Sequence, residues 1–244
     1  MRYFIEFSYN GSHYHGWQAQ PNAVSVQEVL TNAFQRILNS PIELVAAGRT
    51  DTGVHAKQMF AHFDIAEITE IQKTVSKLNS FLPEDIAIQN IFEVSNDGHA
   101  RFSARKRTYE YHIHQQKNVF KTYQSWFLQK KIDVDLMNQA AQILFDHTDF
   151  ESFSKTHTDV NTFECKIYKA HFVQTKNDII FTITADRFLR NMVRSIVGTL
   201  INVGIYKITL EQFNQIILDK SRQKAGFSVP ACGLYLTKIE YDFL

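Results

Sequence analysis

Residues 46–56 read AAGRTDTGVHA, with one carboxylate, Asp51, at their centre between Gly48 and Gly53. Asp51-Thr52-Gly53 is the tripeptide of the aspartic proteases, whose chemistry needs two carboxylates sharing one proton. This chain holds a single DTG and at least four helical segments. Arg49, two residues before Asp51, also favours an ionised carboxylate over a shared proton. Protease chemistry is excluded. Taken alone, an aspartate flanked by glycines reads more readily as a turn residue bonding its own backbone than as a functional group on a loop.

Two cationic sets stand elsewhere. RFSARKR, Arg101 to Arg107, carries Arg101, Arg105, Lys106 and Arg107 with no acid, and runs straight into TYEYHIH. In an extended strand Tyr109 and Tyr111 share one face, with Thr108 and Glu110 on the other. Cations for phosphates beside aromatics for bases are the parts of an RNA loop site. The plainer reading, a solvated charge run beside a half-buried strand, is slightly favoured by this segment alone. The second set, Arg187, Arg190 and Arg194, lies at and inside FLRNMVRSIVG. Arg190 and Arg194 are four apart and share a helix face. Among Met192, Val193, Ile196 and Val197, Arg194 is either a buried guanidinium that needs a carboxylate or one that snorkels to water. Periodicity leaves these two equal. His13 with His15 and His112 with His114 are H-x-H pairs, yet neither HExxH nor a cysteine cluster accompanies them, so surface or RNA-facing histidines are expected and no metal.

The net charge of +1 gives no global argument for a nucleic-acid partner, so any such site must be a local concentration of cations. Cys165 and Cys232, with no CxxC spacing, read as reduced thiols of a cytosolic protein. MRYFIEFSYNG alternates like a strand and lacks the apolar core of a signal peptide, and no apolar run reaches the roughly 20 residues that span a bilayer. A cytoplasmic location is the expectation.

The elements that must position these residues follow from periodicity. RYFIEFSY is a strand, and a helix from about residue 26 opens on a Ser25–Glu28 capping box and stops at Pro41. IELVAAG and KQMFAHFD are strands around the Asp51 loop. A helix from Thr69, with a box to Gln72, and the strand IAIQNIFEV complete a β-α-β-β-α-β order. The second half repeats it: TYEYHIH, a helix over 135–146, a hairpin across Lys176-Asn177, a helix over FLRNMVRSIVGTLINVG, a further helix from near Thr209, and the strand LYLTKIEYDF. The expectation is an α+β protein of two ferredoxin-like halves, residues 1–103 and 104–244, joined near residues 100 to 106. Their sheets would be antiparallel, each covered by helices on one face and free on the other to hold a ligand.

Taken together, the motifs resemble one family. GRTDTGVHA is similar to the GRTDAGVHA signature of the TruA family of tRNA pseudouridine synthases. YNGSHYHGWQAQPN, HARFSARKRTYEYHI, DFESFS, FLRNMVRSIVG and GLYL follow in family order along nearly the whole chain. The departures are Thr52 for alanine, CKIY for C-R-T-I, and AGFSVPACGLYL for a proline-rich AGPTAPAHGLYL. The resemblance implies a homodimer with a central basic RNA-binding cleft that turns uridine into pseudouridine at tRNA positions 38, 39 and 40 in the anticodon stem-loop, without cofactor or metal. It makes Asp51 the essential carboxylate, with attack at C1′, attack at C6 and a glycal route all open. Arg194 would pair with Asp51 and favour its ionised form. Tyr109 would stack on the target base and is a candidate to help remove the C5 proton. Arg49 would fill the stem when the uridine flips out, and Arg101, Arg105, Lys106 and Arg107 would hold phosphates. A non-catalytic RNA-binding protein of paired RRM-like sheets is the alternative; it accounts for the basic-aromatic junction but not for the Asp51 loop.

Overall fold

A computed structural model describes residues 1–156 and 160–244. The chain runs β1 (Arg2–Tyr9), α1 (Val26–Leu38), β2 (Val45–Ala46), β3 (His55–Asp64), α2 (Ile71–Phe81) and β4 (Ile86–Val94). There follow β5 (Ala104–His114), β6 (Trp126–Phe127), α3 (Val134–Ile143), β7 (Ile167–Gln174), β8 (Asp178–Ala185), α4 (Met192–Gly204), α5 (Leu210–Leu218) and β9 (Leu234–Tyr241). This is an α+β protein whose strands pair mostly antiparallel. It divides into two compact units, Met1–Arg105 with Tyr235–Leu244, and Lys106–Leu234. Among the described residues no helix is long and apolar enough to cross a membrane.

In the first unit β1 lies between β4 and β3, antiparallel to both, and β2 adds antiparallel to β3. The start of β9 joins β3 in parallel, Tyr235 opposite His55. Alternation along β1 puts Tyr3 on Phe63, which meets Phe34 of α1 edge-on at 5.2 Å, so this face packs on the helices. α1 forms because Val26, Leu30, Ala33 and Phe34 recur at helical spacing and are all buried. Ser25 caps it by accepting from the Glu28 N–H. It ends with Asn39 in the left-handed region at φ 48°, two residues before Pro41. The expected box at Thr69 is absent. Glu70 is the N-cap of α2 and makes no side-chain cap bond; its carboxylate reaches Lys73 instead. The opposite sheet face is not free for a ligand around Phe4. Tyr241 and Phe243, at and just beyond the end of the last strand, close over it with ring centroids 5.5 and 5.6 Å away.

In the second unit β8 lies between β5 and β7, antiparallel to each. The β7–β8 hairpin turns through residues 175–177, where the Thr175 N–H donates to the Asp178 carbonyl at 2.8 Å. The alternation of β5 runs as expected. Tyr111 is fully buried and donates its hydroxyl to the Pro230 carbonyl, whereas Thr108 meets Thr184 on the other face. α3 packs on β7, and α4 and α5 pack on α3. α4 is apolar on nearly every side and is a core helix. It begins at Met192, later than the sequence pattern suggests, because Asn191 takes a left-handed φ of 67° and separates FLR from the helix. A Cβ on Gly198 would stand 1.9 Å from the Phe227 carbonyl oxygen, so residues 226–229 cross α4 backbone against backbone.

One buried histidine makes the first unit pH-sensitive. His62 of β3 is 4% exposed, and its Nδ1 accepts the Ala100 N–H at 3.2 Å. Burial, with His99 and Arg2 nearby, lowers its pKa from 6.5 to about 4. The unfolded chain therefore takes up the proton first as pH falls, and the stabilisation is complete above pH 6.5 and lost progressively towards pH 4. Denaturant titrations should show His62→Asn escaping roughly 3 kcal/mol of the wild-type loss across that window. Parallel curves for the two proteins would refute it.

Candidate active site

The loop that carries Asp51 leaves β2 after the Ala47 N–H has bonded to the Phe60 carbonyl. Its backbone is fixed at several points. Thr50 is held by the Tyr9 hydroxyl at 2.8 Å on its side chain and by the Trp17 N–H on its carbonyl. The Val54 N–H returns to the Asp51 carbonyl at 3.1 Å, closing a turn in which Gly53 takes φ 77°. That sign of φ is what a type II turn demands at its third residue, and glycine adopts it without strain. The Gly53 N–H donates to the Tyr14 carbonyl. Gly48 differs from Gly53, for a Cβ placed there meets no atom within 4 Å. Asp51 itself is half-buried and Arg49 exposed.

The stretch YNGSHYHGW, residues 9–17, forms the bed of this loop. A Cβ on Gly11 would lie 2.0 Å from the Val54 carbonyl oxygen, and one on Gly16, at φ 88°, would lie 2.4 Å from the Thr50 carbonyl oxygen. Bare backbone is the material that fits both places. The bed is anchored in turn. Tyr14 donates to Asp85 at 2.5 Å, which with burial raises the phenol pKa, and the Gly11 N–H donates to Nδ1 of His55. His55 stacks on Tyr235 of GLYL with centroids 4.5 Å apart. Tyr14, His55, Asp85 and Tyr235 escaped the sequence reading. The available signal was a pair of glycines, Gly11 and Gly16, whose need lay in another part of the chain.

The cationic junction begins in the same unit. His99 accepts the N–H groups of Arg101 and Phe102 on Nδ1, and Tyr241 donates to the Ala100 carbonyl. Arg101 lies over the Phe102 ring at 5.5 Å. Arg105 pairs with Asp242 at 2.7 Å, both side chains two-thirds exposed, a contact worth little in water.

The second unit holds the remaining expected residues. Lys106 lies over the exposed ring of Tyr168 at 4.8 Å, and Arg107 donates to the Asp186 carbonyl at 2.9 Å. Tyr109 is half-buried and meets Phe188 edge-on at 5.1 Å, an arrangement that sets the plane of its ring. Arg194 is half-buried on α4. Its Nε donates to the Val229 carbonyl at 2.7 Å, and the Val229 N–H donates back to the Arg194 carbonyl. Asn191 fastens the same stretch through Ser228 at 2.6 Å. Of the other arginines, Arg187 donates to the Thr162 carbonyl and Arg190 is exposed. Among the described residues no group of three or more His, Cys, Asp or Glu side chains could hold a metal ion. His114 is buried against Ser125, and His13 faces Asp85 from solvent.

The first unit thus carries a half-buried carboxylate on a braced turn, and the second a ring-oriented tyrosine next to cations at a strand start. The family model described as tRNA pseudouridine synthase matches residues 6–103 and 140–242, and the chain belongs to that family. It is similar to tRNA pseudouridine synthase A of Bacteroides fragilis, 48% identical over 99% of this chain and 96% of the relative. The proteins of that name from Bacteroides thetaiotaomicron and Parabacteroides distasonis are each 46% identical, over 99% and 98% of this chain and 91% and 96% of their own lengths.

The two neighbouring glycine roles separate in a substitution test. Gly16→Ala forces a Cβ against the Thr50 carbonyl and should lower pseudouridine formation on the order of a hundredfold by displacing the Asp51 loop. Gly48→Ala should leave the thermal midpoint where it is. Normal turnover in Gly16→Ala would show that this bed does not set the loop.

Proposed function

We propose that the protein isomerises uridine to pseudouridine in the anticodon stem-loop of tRNA, at positions 38, 39 and 40, with Asp51 as the essential carboxylate. The observation that carries this is the bracing of the Asp51 turn by Gly11, Gly16, Tyr9 and Trp17, in a chain that belongs to the tRNA pseudouridine synthase family. A binding platform needs no such fixed carboxylate, which sets the paired-RRM reading aside.

The chemistry asks little besides placement. The N1–C1′ bond breaks, the uracil turns, a C5–C1′ bond forms, and the C5 proton leaves as N1 gains one, so no redox partner is consumed. Attack by Asp51 on C1′, attack on C6 and abstraction towards a glycal each need an ionised carboxylate at a fixed distance from the sugar. Arg194, matching the family's arginine, is the proposed partner of that carboxylate, and its Nε bond to the Val229 main-chain carbonyl fixes the guanidinium. Tyr109 is the proposed stacking ring and an aid in removing the C5 proton, and its edge-on contact with Phe188 supports that role. The reacting atoms are inaccessible in a stacked helix, so the uridine must flip out, with exposed Arg49 filling its place. Arg101, Arg105, Lys106 and Arg107 position phosphates.

We read the two halves, 1–103 and 104–244, as ferredoxin-like and flanking a basic RNA-binding cleft, supported in the first by the β4-β1-β3-β2 order. A cytoplasmic homodimer working without a cofactor completes the proposal. Incubation with unmodified tRNA should yield pseudouridine, and Asp51→Ala should yield none while still binding tRNA. Arg194→Met should bind tRNA with turnover collapsed. Unimpaired turnover in Asp51→Ala would sink the assignment of the carboxylate; weaker binding with normal saturated turnover in Arg194→Met would move that arginine among the phosphate contacts.

A further inference from the structure

Residues 111–132, from the last residues of β5 through the loop leading to α3, contain no acid and four lysines, although acids and bases are nearly equal in the chain as a whole. This stretch is tied down throughout. β6 pairs with the end of β5, Leu128 donates to the His114 carbonyl, and Gln115 donates to the Lys130 carbonyl at 3.0 Å. Asn118 caps a short 3-10 turn over Val119–Lys121, accepting from the Phe120 N–H at 2.9 Å, and Gln124 donates to the Lys121 carbonyl. Yet this ordered loop turns its large apolar side chains outward. Phe120 is 87% exposed, Val119 and Tyr123 70% each. Tyr123 takes φ 61°, a left-handed conformation that bulky residues seldom adopt. Lys121 is held by Asp178, while Lys117, Lys130 and Lys131 are exposed.

We infer that this loop is a second RNA-contact surface, on which Phe120 and Tyr123 take unpaired bases and Lys117, Lys130 and Lys131 take phosphates. The inference rests on the proposed RNA substrate and adds to it a surface apart from the residues assigned above. A loop whose backbone is already fixed loses little freedom when its rings stack, and every base offers a π-face to them. A run of lysines with no acid in the same 22 residues matches a polyanion. A second copy of this chain, whose residues 133–154 carry five acids and no lysine or arginine, would also cover the rings and is the other outcome of the test.

The test measures tRNA binding by the full-length protein, with Asp51→Asn as the background so that no turnover intrudes. Phe120→Ala/Tyr123→Ala should raise Kd about tenfold or more. Lys117→Gln/Lys130→Gln/Lys131→Gln should flatten the dependence of log Kd on log salt by about 0.7–0.9 for each phosphate that is no longer neutralised. The lysine variant keeps the test open should the aromatic one fold poorly. An unchanged Kd together with an unchanged salt slope would overturn the inference. So would sedimentation showing that the aromatic variant breaks up a wild-type oligomer, which would give the face to a second copy. Absence of pseudouridine formation by the wild type, with these binding losses present, would count against the enzymatic reading and leave the surface standing.

Discussion

The close approach of two backbones governs the first unit. Residues 11–16 press on the turn at 50–54 at distances no side chain would allow, 2.0 and 2.4 Å from a would-be Cβ to a carbonyl oxygen. Close packing of this kind has no slack, because both surfaces are main chain and neither can rotate away. Everything around it serves that contact. Asp85 and His55 secure the bed from behind, and the β1–β3 pairing fixes the two chain segments from which bed and turn emerge. The carboxylate is therefore mounted on the sheet through main-chain contacts, which transmit position better than a chain of flexible side chains.

Much of the fold was legible. Alternation named β1 and β5 and their faces, and the four-residue spacing of apolar side chains named α1. The expected helix from near Thr209 is α5, which opens on a Thr209–Gln212 capping box with both halves formed. Where reading failed, a local preference lost to a longer-range demand. At Asn191 a left-handed residue delays α4, and its amide is spent on Ser228, 37 residues onward. The aromatic layer over Phe4 depended on Tyr241 and Phe243 returning to the first strand, which no periodicity announces.

The site divides along the same line. Asp51 stands out through the likeness of GRTDTGVHA to a family signature, whereas its flanking glycines alone fit an ordinary turn. The reason Gly53 is required, and Gly48 is not, lay in the backbone angles alone. Tyr14 and His55 looked like ordinary strand-end residues until the fold brought each to a partner far along the chain, Asp85 at 71 residues and Gly11 at 44. Sequence exposes the group that reacts more readily than the groups that hold it, since holding is done by whatever the topology places within reach.

The hold on Arg194 has a bearing on how this chain can drift. Its Nε is satisfied by the main-chain carbonyl of Val229. A carbonyl is supplied by every amino acid, so the acceptor does not depend on which residue stands at 229, while the fully buried Val229 side chain answers to packing instead. Gly198 is the fixed point, because it lets the crossing segment lie flat on the helix. Side chains at 228 and 229 answer to their own contacts, Ser228 to Asn191 and Val229 to the core, while the guanidinium keeps its address through the main chain.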